Sequence, residues 1–314
     1  MTAPAVVALG GGHGLSASLG ALRHLTDRLS AVVTVSDDGG SSGRLRRELG
    51  VLPPGDLRMA LAALCADGDW GRTWRDVLQH RFASHGELHN HALGNLLIVA
   101  LWELLGDTVE GLDWVGRLLG ARGRVLPMAA EPLTIEATVL GLDVGDPSVP
   151  TTVRGQAAVA ATRGHVASVR LLPEEPKACD EAVAAVQEAD WVVLGPGSWF
   201  TSVMPHLLVP RLREAVIRTS AKRIVTLNLP AHDAETHGFT AENHLEALLV
   251  HAPELTVDVV VADPSAVGDR TSLEDVCQTL GAALVVSEVA EPTAAGVHDP
   301  LRLAAAYRDV MGTR

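Results

Sequence analysis

Three short stretches of the chain hold residues whose types and spacing suit the recognition of an anion. They are Gly10-Gly11-Gly12-His13-Gly14, then Ser36-Asp37-Asp38-Gly39-Gly40-Ser41-Ser42-Gly43, then Gly195-Pro196-Gly197-Ser198-Trp199-Phe200-Thr201-Ser202. Glycine has no Cβ and tolerates positive φ, so its N–H groups can turn towards a phosphate and approach it closely. A helix starting just after such a loop adds the positive end of its dipole. The first stretch also satisfies the dinucleotide fingerprint as Gly12-x-Gly14-x-x-Ala17, and Asp37 and Asp38 follow where a ribose-binding acid belongs. Tight turns capped by aspartate would use the same residues without any ligand. One loop serves one phosphate, whereas three converging on one crevice suit a nucleoside diphosphate carrying a sugar. Asp37 and Asp38 are hard oxygen ligands that could hold Mg2+ against that diphosphate.

Other candidates lie between and beyond these loops. Pro53-Pro54-Gly55 is a turn signal, and Asp56 is placed to cap the helix expected over 57–66. Arg58 in the first turn of that helix opposes the dipole, which an anionic ligand nearby would explain. His85, His89 and His91 crowd one short segment, but their spacing is not that of a zinc-binding helix. His91 and Asn95 are four residues apart, so on the helix expected over 92–105 they would share a face. Asn228 lies near the end of an apolar run, as do Gly195 and the hydroxyls Ser198 and Thr201. No nucleophile and base stand together at a recognisable catalytic spacing.

The elements that must position these loops follow from hydrophobic period. Apolar runs at 5–9 and 31–35 flank an amphipathic segment at 15–25, which reads as strand, helix, strand: the opening of a parallel α/β sheet. Ligands of such sheets sit outside the carboxyl ends of the strands, where the loops fall. Helices are expected over 72–82 and 109–119 as well. From 124 to 173 the texture becomes alternating and β-branched, predicting antiparallel strands inserted into the main sheet or added at its edge. The α/β rhythm then returns, with strands expected at 191–194, 223–229, 257–262 and 284–289. Helices are expected at 179–189, 210–219, 240–250, 272–280 and 301–311.

Composition narrows the class further. A chain of 314 residues with 47% hydrophobic and 20% charged residues is a folded protein, expected as a single domain over 1–314 with a β-rich insertion at 124–173. The net charge of −13 argues against nucleic acid or an anionic membrane as partner. No charged leader and no apolar run of about 20 residues is present, which predicts a cytoplasmic protein. Cys65, Cys179 and Cys277 stand in no metal spacing and read as buried thiols of a reducing compartment.

Six ordered motifs carry a resemblance: GGGHGLSASL, TVSDDGGSSGRLR, PPGDLR, HALGNLL, LGPGSWFTS and NLP followed by GFTAENH. In this order they resemble the gluconeogenesis factor (YvcK) family of the CofD-like superfamily, which includes 2-phospho-L-lactate transferase. The resemblance spans Val6 to about Leu303. It implies a Rossmann-like CofD fold, a doubly wound and mostly parallel sheet, that binds UDP-sugars, notably UDP-N-acetylglucosamine. It also implies a bacterial role in cell shape, wall synthesis and growth on gluconeogenic carbon. A protein partner in wall synthesis and a homodimer are separate expectations. Nucleotide contacts carry over to Gly11, Gly12, His13, Gly14, Leu15, Asp37, Gly40, Ser41, Asn95, Gly197 and Ser198. The residues' own reading adds Asp38, Ser42, Asp56, Arg58, His91, Gly195, Thr201 and Asn228. His13 stands where the family more often has Thr, and Val297 where relatives often carry Arg. A rival reading is a magnesium-dependent phospho-group or nucleotidyl transferase, and a third is an NAD-type dehydrogenase. Against the third, Gly39 to Gly43 crowd the ribose position with a second anion-type loop.

Overall fold

Short strands that are apolar on both faces and run straight into glycine require a sheet covered on both sides. In the computed structural model, which describes residues 3–230 and 234–312, β1 (Val6–Gly10) is buried along its whole length. The other strands are β2 (Leu29–Val33), β3 (Arg124–Pro127), β4 (Thr134–Leu140), β5 (Thr151–Arg154), β6 (His165–Leu172), β7 (Trp191–Leu194), β8 (Lys222–Thr226), β9 (Val259–Ala262) and β10 (Ala283–Val286). Seven of them form one sheet in the order β10-β9-β8-β7-β1-β2-β3, and every neighbouring pair is parallel. The chain winds outward from β1 to β3, returns at β7 and winds the other way to β10. Successive connections therefore diverge between β1 and β7, and that switch point opens a crevice at the carboxyl ends of the strands.

The helices that cover the sheet begin with α1 (Gly12–Leu22), α2 (Gly40–Leu49), α3 (Gly55–Ala63), α4 (Asp69–Gln79), α5 (Leu93–Leu105) and α6 (Thr108–Leu119). They continue with α7 (Gln156–Ala160), α8 (Asp180–Gln187), α9 (Pro210–Arg218), α10 (Ala241–His251), α11 (Arg270–Thr279) and α12 (Pro300–Met311). Among the described residues, no helix is long and apolar enough to cross a membrane.

The stretch over 124–173 differs from its expected form in two places. β3 is an edge strand of the parallel sheet, paired with β2, and only β5-β4-β6 make a separate antiparallel sheet. Along β4 buried and half-buried residues alternate, as in a sheet with one covered face. Residues 156–160, read from sequence as strand, instead form the short helix α7. Gly155 breaks the strand at φ +100°, and the Asp38 carboxylate accepts the Ala157 amide at 3.0 Å, a tertiary cap with no local signal.

The last helix is held by a strong local signal. The Asp299 carboxylate accepts the amides of Leu301 and Arg302 at 2.8 and 3.0 Å, Pro300 opens the helix, and Gly312 ends it in the left-handed region. Asp299→Ala is expected to lower stability by about 1 kcal/mol, the usual worth of an N-cap, with an unchanged denaturant slope in urea unfolding.

Candidate functional site

The crevice is bordered by all three loops: the first and third meet at Gly14, and the second contributes Asp37. Strand β1 passes into α1 through the single extended residue Gly11, and Gly12 takes φ +56°. Neither α1 nor α2 has a side-chain cap or an acid in its first turn, and α2 opens on Gly40 at φ +47°. Each helix start therefore keeps free backbone donors. A Cβ on Gly11 would lie 2.5 Å from Thr34 Cγ2 and 2.8 Å from Asp56 Oδ2. One on Gly14 would lie 2.2 Å from the Pro196 carbonyl oxygen, so glycine is what lets the first turn of α1 meet the third loop.

The third loop is itself fixed from below. Gly197 takes φ +134°, and the Asn228 side-chain amide brackets it: the Gly197 amide donates to Oδ1 and Nδ2 donates to the Gly197 carbonyl, both at 2.9 Å. A turn of π-helix follows over Trp199–Val203, a rare conformation that concentrates at functional sites. Trp199 and Phe200 are buried, while Thr201 and Ser202 border the crevice.

The resulting cavity has a volume of about 390 Å³. Of the sequence-predicted residues, Gly11, Gly12, His13 and Gly14 line it, as do Asp37 and Asp56, Gly197, Ser198 and Thr201, and Asn228. The remaining candidates stand behind this wall. Leu15 is a core side chain. Asp38 caps α7. Ser42 accepts the Gly55 amide at 3.0 Å, and Gly195 and Gly40 shape the backbone of their loops.

Arg58, Asn95 and Ser41 form a buried chain joining α3, α5 and α2. Arg58 Nε donates to Asn95 Oδ1 at 2.9 Å, and Asn95 Nδ2 donates to Ser41 Oγ at 2.8 Å. His91 does not share a helix face with Asn95, because α5 begins only at Leu93. Asp56 is not the N-cap of α3, which is Pro54. It lies in the first turn and its carboxylate accepts the Gly12 amide.

Sequence reasoning missed several wall residues. Gln156, Ala157 and Ala160 come from α7, hidden in a stretch that reads as strand. Ser202 and Pro196 lie inside a quoted loop, but Leu229, Gly296 and His298 carry no motif that marks them. Among the described residues, the wall contains no lysine or arginine, only two carboxylates and the imidazoles of His13 and His298.

The electrostatics follow from that wall. Burial pushes the Asp56 carboxyl up to about 7, and the charge of Asp37 adds to the rise. Burial also raises Asp37, while burial lowers His298 and favours its neutral form. Arg58 is depressed to about 10 by burial and by Arg81. Among the described residues, no group of three or more histidine, cysteine, aspartate or glutamate side chains could hold a metal on its own. Backbone amides are thus positioned to receive phosphate oxygens, and two carboxylates stand beside them in need of a proton or a cation.

Comparison with known proteins places the chain in a family. The family described as 2-phospho-L-lactate transferase CofD matches residues 6–289. A Mycobacterium tuberculosis relative, named provisionally as a gluconeogenesis factor, is 53% identical over 303 residues, covering 96% of this chain and 88% of its own. The gluconeogenesis factor of Bacillus subtilis (strain 168) is 36% identical over 267 residues, covering 85% of this chain and 81% of its own. The crystal structure of a UPF0052 family member from Bacillus halodurans superposes with a TM-score of 0.86 at 31% identity, over 98% of this chain and 99% of the other. The chain belongs to the CofD family, among the relatives named gluconeogenesis factors.

Proposed function

We propose that the crevice binds a UDP-sugar, UDP-N-acetylglucosamine or a close relative, and that the protein acts as a regulatory sensor of that ligand. One observation carries the reading: three glycine-rich loops at the switch point of a parallel sheet each contribute to the wall of one cavity of about 390 Å³, where backbone amides are the available anion donors. A cavity of this size suits a nucleotide-sized ligand. The names of the relatives supply the context of gluconeogenic carbon use. We extend it to cell shape and wall synthesis through a protein partner in the bacterial cytoplasm.

Melting temperature against a ligand panel tests this. A hundredfold excess over the dissociation constant is expected to add about 2.7 kcal/mol of stability for UDP-N-acetylglucosamine, with less for UDP and none for NAD. No shift at millimolar UDP-N-acetylglucosamine would sink the reading.

The carboxylate pair favours a second reading, a phospho-group or nucleotidyl transferase. Asp37 and Asp56 both border the cavity, and Mg2+ would take oxygen ligands from them and from a diphosphate. The pair departs from the expected one, since Asp38 faces α7. Under this reading the largest shift appears with a nucleoside triphosphate and only with magnesium.

A further inference from the structure

Tyr307 is the single tyrosine of the chain and is fully buried on α12, far in sequence from the three glycine-rich loops of the crevice. Its hydroxyl lies 2.8 Å from Thr226 Oγ1 and 3.1 Å from Ser18 Oγ, and Ser18 Oγ donates to the Gly195 carbonyl at 2.9 Å. A serine hydroxyl has one proton, and here the Gly195 carbonyl takes it. Ser18 must then accept from Tyr307, and Tyr307 must accept from Thr226. The four groups form one directed chain, Thr226 to Tyr307 to Ser18 to Gly195, in which each buried hydroxyl is satisfied.

Its last acceptor opens the third loop. Gly195 holds φ +74°, and the next two residues are the ones in contact with Gly14. We propose that Tyr307 is a positioning residue of the ligand site, holding the Gly195–Ser198 loop in its binding geometry through Ser18. The inference rests on the crevice being the UDP-sugar site. α12 supports the crevice from a second direction as well. The arm that leads into it places Gly296 and His298 in the cavity wall, and the root of that arm is tied by Asp263 Oδ2, which accepts the Val289 and Ala290 amides at 2.8 and 2.9 Å. Burial raises the phenol to about 12, so the chain keeps its protons throughout the working pH range.

The test compares Tyr307→Phe and Ser18→Ala with Leu303→Ala, which removes a buried side chain from the same helix but none of the hydrogen-bonding groups of the chain. Amide hydrogen exchange over 195–203 in the ligand-free protein is expected to rise about fivefold in Tyr307→Phe and in Ser18→Ala, the worth of one neutral hydrogen bond. UDP-N-acetylglucosamine affinity is expected to weaken by a similar factor, and the double variant is expected to be no worse than either single one. Leu303→Ala is expected to lower the melting temperature while leaving both quantities unchanged. Unchanged exchange in Tyr307→Phe overturns the proposal, as does the same rise in Leu303→Ala. Failure of the wild-type protein to bind UDP-N-acetylglucosamine would remove the ligand reading alone, since the exchange measurement needs no ligand.

Discussion

Gly14→Ala is expected to abolish ligand binding and to cost the ligand-free protein about 3 kcal/mol, the upper range for an overpacked position. The added methyl would sit 2.2 Å from the Pro196 carbonyl oxygen and 2.4 Å from Gly197 Cα. Both are backbone atoms, so no rotamer change relieves the contact. The third loop cannot simply retreat, because Asn228 brackets Gly197 and Ser18 holds the Gly195 carbonyl. Relief must come from moving α1 or the whole loop, and either movement separates two of the three glycine-rich loops. Gly12→Ala is the informative contrast. Gly12 sits at φ +56° with nothing within 4 Å of an added Cβ, so its cost is the left-handed strain alone, about 1–2 kcal/mol, with no displacement of a neighbour. Urea unfolding and titration with UDP-N-acetylglucosamine measure both quantities. A Gly14→Ala protein that unfolds and binds like wild type would show that the two loops do not meet as described.

The same contrast explains what was legible in the sequence. The strands and the loops at their carboxyl ends could be read because β-branched runs and clustered glycines are local consequences of a parallel sheet. Gly11, Gly14 and Gly197 were therefore found directly. What the residues of the second layer do could not be read in the same way, because it depends on which element packs behind which. Arg58 suggested an anion in the crevice, but its guanidinium is turned to Asn95 on α5. Asp56 suggested a cap, but the closeness of α3 to the first loop brings its carboxylate to the Gly12 amide. α7 was invisible for a similar reason, since the Ala157 amide is capped by Asp38 from 119 residues away. His298 entered the wall only through the docking of α12. Local chemistry marked the crevice-facing backbone, and tertiary packing assigned the side chains around it.

Asp56→Asn is expected to stabilise the ligand-free protein at pH 8 and to remove most of the pH dependence of ligand affinity. The folded carboxyl titrates at about 7, above its ordinary unfolded value of about 4. A raised carboxyl contributes stability that is complete below about pH 4 and is lost as pH rises through 7. Asparagine keeps an oxygen for the Gly12 amide and never ionises, so it escapes that loss. Solvent reaches the half-buried carboxyl, so the expected gain at pH 8 is about 1–2 kcal/mol, with little gain at pH 4. The effect on binding has the same sign. A diphosphate entering a wall with Asp37, Asp56 and, among the described residues, no lysine or arginine meets two like charges, so binding favours the protonated Asp56. In EDTA, wild-type affinity is expected to fall about tenfold between pH 6 and pH 8, a change of about 1.4 kcal/mol, while that of Asp56→Asn stays flat. Magnesium is expected to restore the wild type at pH 8 by supplying the missing positive charge, and to help Asp56→Asn far less. Parallel pH profiles for the two proteins would place the ligand's phosphates away from Asp56 and detach the carboxylate pair from the binding site.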